Sequence, residues 1–321
     1  MKNIYLDKNI IPDSIECFRC KETKENDKLT NSIENTSYKV PIININKDVI
    51  TECDSDVICD YPLSFIVNEK YENTFLCTPS NLKELVIGYL ASKGDINSKS
   101  DIVDLNIDIK KQIAQVTIEK KQGLDNEEMI FVNSLDYIKC ASVKSNLGIS
   151  IDNIFKIMDR NLTSSKLFRD TGGVHSVGIF DCNKNEVVIC EDVARHNAMD
   201  KAIGYCVLNE ISLKNKVVVL SGRASFEMIL KVAQMQIPIV ISKSAPTRLA
   251  IELATKLNIT LVGFVRGHTM NIYANGNRVF KTVHCENCEN TTCSLSNYKN
   301  KKCIKCKRIL TVEKISQYIN I

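Results

Sequence analysis

From residue 175 onward, short apolar runs alternate with segments of helical periodicity, and this alternation restricts the fold more than any other feature of the chain. Apolar runs at 216–220, 238–242 and 259–265 predict strands, and residues 225–236 and 246–257 between them carry apolar side chains at helical spacing. Strands and helices that alternate in this way form a largely parallel sheet. The sequence therefore predicts an α/β domain whose strand-to-helix junctions lie at the carboxyl ends of the strands, where open α/β folds bind ligands.

The amino-terminal half has a different pattern. Residues 81–92 place apolar side chains at helical spacing, while residues 114–118 alternate apolar and polar side chains as a half-buried strand does. These segments predict a small α+β unit, joined to the next part by the polar stretch 120–128. The predicted divisions are an arm at 1–38, an α+β domain at 39–128, an α/β domain at 129–283 and a cysteine-rich tail at 284–321.

Composition and charge exclude several classes of protein. Hydrophobic residues make up 44% and charged residues 25% of the 321-residue chain, as in ordinary globular proteins. The net charge of +4 is too small to indicate nucleic-acid binding over the whole surface. The amino terminus lacks the apolar segment of a signal peptide, and no apolar stretch is long enough to span a membrane. We therefore expect a cytoplasmic protein with no membrane partner, while binding of nucleic acid through a local basic cluster stays open.

The chain has 14 cysteines, which in a cytoplasmic protein are free thiols, metal ligands or reactive thiols rather than disulfides. Burial alone is the expected role of five of them, namely Cys59, Cys77, Cys182, Cys190 and Cys206. Near the amino terminus, Cys17 and Cys20 form a single short pair, for which both metal binding and a solvated arm stay open.

The tail contains a stronger metal-binding pattern. Two Cys-x-x-Cys pairs lie about fifteen residues apart, a spacing that suits a tetrahedral structural zinc site. An iron–sulfur cluster and redox-active thiols are the alternatives. The predicted zinc ligands are Cys285, Cys288, Cys303 and Cys306.

Residues 170–204 combine polar side chains at a density that a structural core rarely has. Gly172 and Gly173 let the backbone approach a ligand closely, because neither residue has a Cβ atom. His175 follows them, and Arg195 lies where a strand passes into a helix, whose first N–H groups favour anions. The pattern predicts a binding site for an anionic ligand. In the alternative interpretation the glycines form an ordinary turn and the histidines are satisfied core residues.

Five phrases of the sequence, in this order, carry a family resemblance: TGGVH, EDVARHNAMDKAIG, LSGRASFEM, SAPTRLA and LVGFVRG. They are similar to the motifs of the FdhD/NarQ family of formate dehydrogenase accessory sulfurtransferases, over roughly residues 50 to 280. The resemblance implies a cytidine-deaminase-like three-layer α/β domain preceded by a smaller α+β domain. The cysteine-rich tail, which we expect to be zinc-ribbon-like, lies beyond the resemblance.

The same resemblance implies a function. In the family, a cysteine at the position of Cys140 receives sulfur as a persulfide from a cysteine desulfurase. It passes this sulfur to molybdenum in the bis-molybdopterin guanine dinucleotide cofactor before the cofactor enters the formate dehydrogenase apoenzyme. The chain would then be a sulfurtransferase with these two proteins as partners, and a homodimer stays open. From the residues alone, Lys139 and Lys144 favour a lowered pKa of the Cys140 thiol, while simple burial is the alternative.

Cofactor-binding residues are also implied by the resemblance. Arginine can hold a phosphate with two hydrogen bonds, and glycine permits close approach of a ligand. An ordinary turn at the end of a strand is the alternative for the loop. The family's binding loop corresponds to Phe264, Val265, Arg266, Gly267, His268 and Thr269, and the other predicted contacts are Gly172, Gly173, His175 and Arg223.

The chain departs from the family pattern beside the proposed sulfur acceptor. Ala141 and Val143 stand where many members have a glycine and a second cysteine, so a route through an intramolecular disulfide is excluded at this site. Two further departures are Ala194 in place of glycine and Lys93 in place of glutamate.

One further function is disfavoured by the sequence, and two alternative functions stay open. The α/β domain lacks the H-x-E and P-C-x-x-C motifs of zinc deaminases, which argues against base deamination. A chaperone that carries the cofactor without transferring sulfur is one alternative function. A zinc-dependent interaction or nucleic-acid-binding protein built around the tail is the other.

Overall fold

The computed structural model describes residues 36–47, 49–119 and 140–281, together with the backbone of 301–302 and 309–310. The predicted linker at 120–128 and Lys139 lie outside the described residues. So do the cysteines of the arm and the predicted zinc ligands, namely Cys17, Cys20, Cys285, Cys288, Cys303 and Cys306.

Strands dominate the first part of the chain. Its elements are β1 (Ser37–Asn46), β2 (Val49–Ile58), β3 (Tyr61–Val67), β4 (Lys70–Cys77), α1 (Leu82–Lys93), β5 (Ile102–Asp108) and β6 (Ile113–Ile118). Among the described residues, β4, β3, β6 and β5 form a four-stranded sheet in that order, and β1 and β2 form a separate hairpin.

The second part alternates strands and helices, as predicted. Its elements are β7 (Ile149–Ser150), α2 (Ile151–Ser164), α3 (Lys166–Thr171), β8 (His175–Phe180), β9 (Glu186–Asp192), α4 (Arg195–Leu208), β10 (Val217–Leu220), α5 (Phe226–Gln234), β11 (Ile239–Ser242), α6 (Arg248–Lys256), β12 (Thr260–Arg266), β13 (Thr269–Ala274), β14 (Val279–Phe280), β15 (Lys301–Lys302) and β16 (Ile309–Leu310).

The central sheet of the described part has six strands in the order β13-β12-β11-β10-β8-β9. Only β10, β11 and β12 run parallel to one another, and the other three neighbouring pairs are antiparallel. The prediction of a largely parallel sheet is therefore wrong. At both edges a short turn joins consecutive strands, and a turn of this length has no room for the crossover that a parallel pair needs.

Both faces of the central sheet are buried. Successive side chains of a strand point to opposite faces, and in the central strands the side chains on both faces are apolar. Val218 and Leu220 of β10 pack into one cluster with α1, α4, α5 and α6, whereas Val217 and Val219 pack into a second cluster with α2. The first cluster also contains the inner face of the four-stranded sheet, so the described parts of the two predicted domains share one core. The boundary between them stays a prediction.

Helices α1 and α4 lie against each other at two glycines. A Cβ atom on Gly88 would overlap the carbonyl oxygen of Asp200, and one on Gly204 would overlap that of Glu84. A buried ion pair lies nearby, where the Lys201 ammonium is 2.6 Å from a carboxylate oxygen of Asp192. These contacts fix the end of β9 and the start of α4, which carry part of the candidate site.

In the described part of the chain, none of the helices has the length and apolar character that crossing a membrane requires.

Candidate functional site

A cavity of about 410 Å³ opens at the edge of the central sheet where β10 and β11 end. Its lining comes from the loops after these strands, through Ser221, Gly222, Arg223 and Ser244, and from the segment before β8. The other lining residues are Phe168, Gly172, Gly173, Val174, His175 and Arg195. The structure thus brings together four predicted site residues, Gly172, Gly173, His175 and Arg223.

Strand direction explains why these distant segments meet. Since β8 runs antiparallel to β10, the first residue of β8, His175, lies at the edge where β10 ends. Strand β9 runs antiparallel to β8 in turn and ends at the same edge, where it passes into α4 and places Arg195 at the first turn of that helix. The rule that ligands bind at the carboxyl ends of parallel strands therefore locates the cavity.

Glycines shape the cavity walls. Gly172 ends α3 with a φ of 65°, a left-handed conformation that glycine adopts without a Cβ penalty. A Cβ on Gly222 would lie 3.0 Å from Nδ1 of His175, so glycine lets this loop pack closely on the imidazole. The same loop passes close to Arg195, since that Cβ would lie 3.8 Å from the Cβ of Arg195, and the next residue, Arg223, is exposed.

The cavity is electropositive and has an unused donor. Nε of Arg195 is buried and, among the described residues, has no hydrogen-bond partner. Burial, together with the nearby guanidinium groups of Arg195 and Arg223, holds the pKa of His175 below its ordinary value of 6.5. An unpaired guanidinium nitrogen beside a neutral imidazole suits an anionic ligand that accepts hydrogen bonds.

Glu191 holds the start of α3, the helix that leads to the glycine pair, and the sequence did not predict this role. The carboxylate of Glu191 accepts hydrogen bonds from the N–H groups of Leu167, at 3.1 Å, and Phe168, at 2.8 Å. It therefore caps the amino end of α3, a function that Ser165 does not perform. The ring of Phe168 lies 5.7 Å from the Lys243 ammonium. An acidic residue facing a helix start from another strand leaves no local signal in the sequence.

The turn between β12 and β13 lies beside this cavity. The N–H of Phe264 donates to the carbonyl of Ser244, a cavity residue, at 3.2 Å, and Nε of Arg266 donates to the carbonyl of Lys243 at 3.2 Å. Phe264 has a φ of 52°, is exposed, and its ring lies 5.5 Å from the Arg266 guanidinium. A non-glycine residue held in this conformation is often found at functional sites.

The remaining residues of the predicted binding loop have different surroundings. Val265 is 1% exposed, so its side chain belongs to the core and only its backbone can face a ligand. Gly267 forms the turn with a φ of 55° and open space around it, and Thr269 is exposed. The ring of His268 lies 6.1 Å from that of Phe155 on α2.

The predicted sulfur acceptor lies elsewhere. The carbonyl of Ala141 accepts a hydrogen bond from Gln236 after α5, and the N–H of Val143 donates to Leu257 at the end of α6. Cys140 is therefore near the carboxyl ends of these two helices, whereas the cavity lies at their amino ends. Each helix has nine residues, a length of about 13 Å. The structure does not bring Cys140 to the cavity.

The environment of Cys140 also differs from the prediction. The side chain is half-buried and packs against the main apolar cluster. Burial raises the pKa of its thiol, so the predicted lowering is wrong for the described surroundings.

Cys77, Cys190 and Cys206 are buried as predicted, with pKa values raised to about 12, whereas Cys59 and Cys182 are only partly buried. Among the described residues, no cluster of three acidic, cysteine or histidine side chains could hold a metal ion.

Comparison with known proteins assigns the chain to a family. The model of the FdhD/NarQ family matches residues 58–280. The chain belongs to the FdhD/NarQ family. A sulfur carrier protein FdhD from Bacillus pumilus is 40% identical over 241 residues, which cover 71% of this chain and 92% of the relative. One from Bacillus subtilis is 36% identical over 243 residues, covering 72% of this chain and 92% of the relative.

A solved structure is similar to this FdhD/NarQ chain as well. The crystal structure of a candidate formate dehydrogenase accessory protein from Desulfotalea psychrophila superposes with a TM-score of 0.66 and 26% identity. It covers 76% of this chain and 100% of the solved chain. The mixed α/β fold with several sheets is therefore that of the family, and the matched region contains both the cavity and Cys140.

Stability of this FdhD/NarQ chain is expected to fall as the pH drops below 6.5. Burial lowers the pKa values of His175 and His196, so the unfolded chain takes up protons at a higher pH than the folded chain does. The stabilisation is complete above the ordinary histidine pKa of 6.5 and is lost as the pH falls through the folded values. Urea unfolding at a series of pH values checks this. The variant H175Q/H196Q should show a flatter profile, and an unchanged slope would contradict the assignment.

Proposed function

We propose that the chain is a sulfur carrier that serves formate dehydrogenase, with a cavity that binds the phosphorylated part of its molybdenum substrate. The curated relatives are named sulfur carrier proteins, and the similar solved structure is described as a formate dehydrogenase accessory protein. The observation that carries the proposal is the buried Nε of Arg195, which finds no hydrogen-bond partner in the described part of the chain and lies in a cavity with the glycine pair and Arg223. This arrangement is suited to a phosphate.

The proposed substrate is bis-molybdopterin guanine dinucleotide. Arg195 and Arg223 would hold its phosphates, with the backbone of Gly172 and Gly173 in close approach. A cavity of about 410 Å³ is in the size range of small-molecule sites, so it would take one end of the dinucleotide. Phe264, with Arg266 over its ring, offers an aromatic surface at the rim on which a heterocycle could stack.

The proposed sulfur acceptor is Cys140, and its donor is the persulfide of a cysteine desulfurase. The Cys140 thiolate attacks the terminal sulfur of that persulfide, a new S–S bond forms, and the donor cysteine leaves as a thiolate. The transferred sulfur is neither oxidised nor reduced in this step. Delivery to molybdenum then breaks the S–S bond, restores the Cys140 thiolate and reduces the sulfur to sulfide with two electrons from the reduced metal.

Cys140 and the cavity are separate in the structure, so sulfur transfer requires a movement of the chain. Cys140 lies at the carboxyl ends of α5 and α6, about one helix length from the cavity, and its thiol is half-buried with a raised pKa. Transfer therefore requires the Cys140 segment to reposition and to become more exposed. The same observation favours a second candidate function, a chaperone that holds the cofactor while sulfur is delivered by another protein.

The proposal also includes the layering of the fold, a metal site in the tail, the cellular location and the partner proteins. Helices on both faces of a mixed sheet support cytidine-deaminase-like layering of the α/β part. We keep a zinc-ribbon-like tail held by Cys285, Cys288, Cys303 and Cys306 as a proposal from the spacing of these residues. A cytoplasmic location and the two partner proteins, a cysteine desulfurase and the formate dehydrogenase apoenzyme, belong to it as well.

Binding of guanosine diphosphate tests the cavity. Arg223→Glu is expected to weaken binding by about tenfold or more, because a charge-assisted hydrogen bond contributes about 1.5–3 kcal/mol and the new carboxylate repels phosphate. Lys111→Glu, which makes the same change of charge at an exposed turn, serves as the matched control. Titration calorimetry measures both affinities. Equal affinities for the two variants would remove the cavity from the proposal.

Formate dehydrogenase activity in cells that lack their own carrier separates the two candidate functions. A sulfur carrier requires both Cys140 and Arg223, so Cys140→Ala and Arg223→Glu should each abolish the restored activity. A chaperone requires the cavity alone, so activity that persists with Cys140→Ala and is lost with Arg223→Glu would select the chaperone.

A further inference from the structure

Side chains hold the part of the chain that follows Cys140. Between Cys140 and β7 the described residues form neither helix nor strand, and we call residues 140–145 the strap. Three alternate carbonyls of the strap each accept a hydrogen bond from a side chain of the α/β part. The acceptors and their donors are Ala141 and Gln236 at 3.0 Å, Val143 and Asn258 at 2.9 Å, and Ser145 and Arg278 at 3.3 Å.

Gln236 and Asn258 occupy the same position after two neighbouring helices. Gln236 is the second residue after α5, with a φ of 56°, and Asn258 is the second residue after α6, with a φ of 57°. Glycine is common in this left-handed conformation after a helix, because a Cβ atom is strained there. Strained positions often have a role that depends on the side chain, and here both amides bind the strap.

Val143 anchors the strap to the core. Its side chain is 1% exposed, and its N–H donates to the carbonyl of Leu257 at 2.8 Å. Its carbonyl accepts the hydrogen bond from the partly buried Asn258. Detaching Val143 would break two hydrogen bonds and expose an apolar side chain, so this end of the strap is firmly held.

The end of the strap that carries Cys140 is held less firmly. Ala141 is exposed, and its carbonyl meets the Gln236 amide in an exposed hydrogen bond. Among the described residues, this is the only hydrogen bond that joins the backbone of residues 140–142 to a distant part of the chain. The half-buried Cys140 side chain packs on the main apolar cluster while this bond is made.

We propose that Gln236 is a positioning residue for the sulfur acceptor, whose amide holds Cys140 against the core until loss of its hydrogen bond to Ala141 releases the thiol by a swing about Val143. The inference rests on the proposed sulfur-carrier function and identifies the contact that the required movement breaks. Release exposes the thiol to the persulfide of the donor protein. The anchor at Val143 keeps the rest of the strap in place.

Alkylation of Cys140 by iodoacetamide in the full chain, followed by peptide mass spectrometry, tests the proposal. Gln236→Gly removes the amide, and glycine adopts the left-handed conformation without strain. It should raise the initial rate at Cys140 by about fivefold, since one ordinary hydrogen bond shifts an equilibrium by about that factor. The matched control is Glu210→Gly, at the same position after α4 with a φ of 55°, which should react as the wild type does.

An unchanged rate at Cys140 in Gln236→Gly would overturn the proposal, and so would an equal increase in Glu210→Gly. Hydrogen exchange at the Val143 N–H, measured by NMR, separates release of one end from loss of the whole strap. It should be as slow in Gln236→Gly as in the wild type. Faster exchange would show that the strap detaches as a unit, which contradicts a swing about Val143.

Neither measurement requires sulfur, so this inference and the sulfur-carrier function fail in different ways. A faster alkylation of Cys140 in Gln236→Gly, with no persulfide formed on Cys140 by a desulfurase, would remove the sulfur-carrier function and leave the positioning role of Gln236. A persulfide on Cys140, with alkylation unchanged by Gln236→Gly, would remove the positioning role alone.

Discussion

Replacing Lys201 by alanine is expected to lower the free energy of unfolding by about 3–5 kcal/mol. The Lys201 ammonium is fully buried and lies 2.6 Å from the carboxylate of Asp192, which is also fully buried. It donates further hydrogen bonds to the carbonyls of Thr78, at 2.9 Å, and Glu191, at 3.3 Å. Removal of the lysine leaves the Asp192 charge buried without its counterion, which costs more than the pair itself contributes.

Equilibrium unfolding in urea measures this loss. The matched control is Lys93→Ala, since Lys93 pairs with Glu72 while its side chain is 37% exposed, and such surface pairs contribute about 0–1 kcal/mol. If the two alanine variants lost the same stability, the buried pair would not have the structural role assigned to it here.

Replacing Gly204 by alanine is the second change with a large expected effect. Its Cβ atom would overlap the carbonyl oxygen of Glu84 in the neighbouring helix α1, a backbone atom that cannot rotate away. Gly88 faces Asp200 in the same way from the other side, so α1 and α4 are held at a distance that only glycine allows. We expect Gly204→Ala to force the helices apart and to cost about 3 kcal/mol.

Gly172→Ala provides the comparison for this variant. No atom of the described residues lies within 4 Å of a Cβ at Gly172, so the substitution meets only the backbone strain of a φ of 65°, about 1 kcal/mol. Urea unfolding of both variants should therefore rank Gly204→Ala as clearly the less stable. The opposite ranking would show that α1 and α4 can separate without loss.

Local periodicity explains how much of the fold the sequence could predict. Strands and helices from β10 to β12 appear within two residues of their predicted ends, because each element carries its own apolar spacing. The direction of the edge strands was not predictable in this way, since it depends on which strand pairs with which. The hairpin β1–β2 was also missed, although its residues are paired throughout.

Part of the candidate site was predictable from the sequence, and part of it depends on contacts between distant segments. Gly172, Gly173, His175 and Arg223 were predicted together, and strand order does place them in one cavity. The position of Cys140 could not be predicted, because neighbouring lysines in sequence do not determine whether a thiol is buried. The capping role of Glu191 could not be predicted either, because Glu191 is distant in sequence from α3 and accepts hydrogen bonds from backbone N–H groups of that helix.

Transfer of sulfur to Cys140 is measured by peptide mass spectrometry after incubation with a cysteine desulfurase and isotopically labelled cysteine. We expect one added sulfur on the Cys140 peptide, removable by a thiol reductant and absent from Cys140→Ala. Cys53→Ala, which removes an exposed thiol, should keep the label. A Cys140→Ala protein that accumulates as much labelled persulfide as the wild type would contradict the claim.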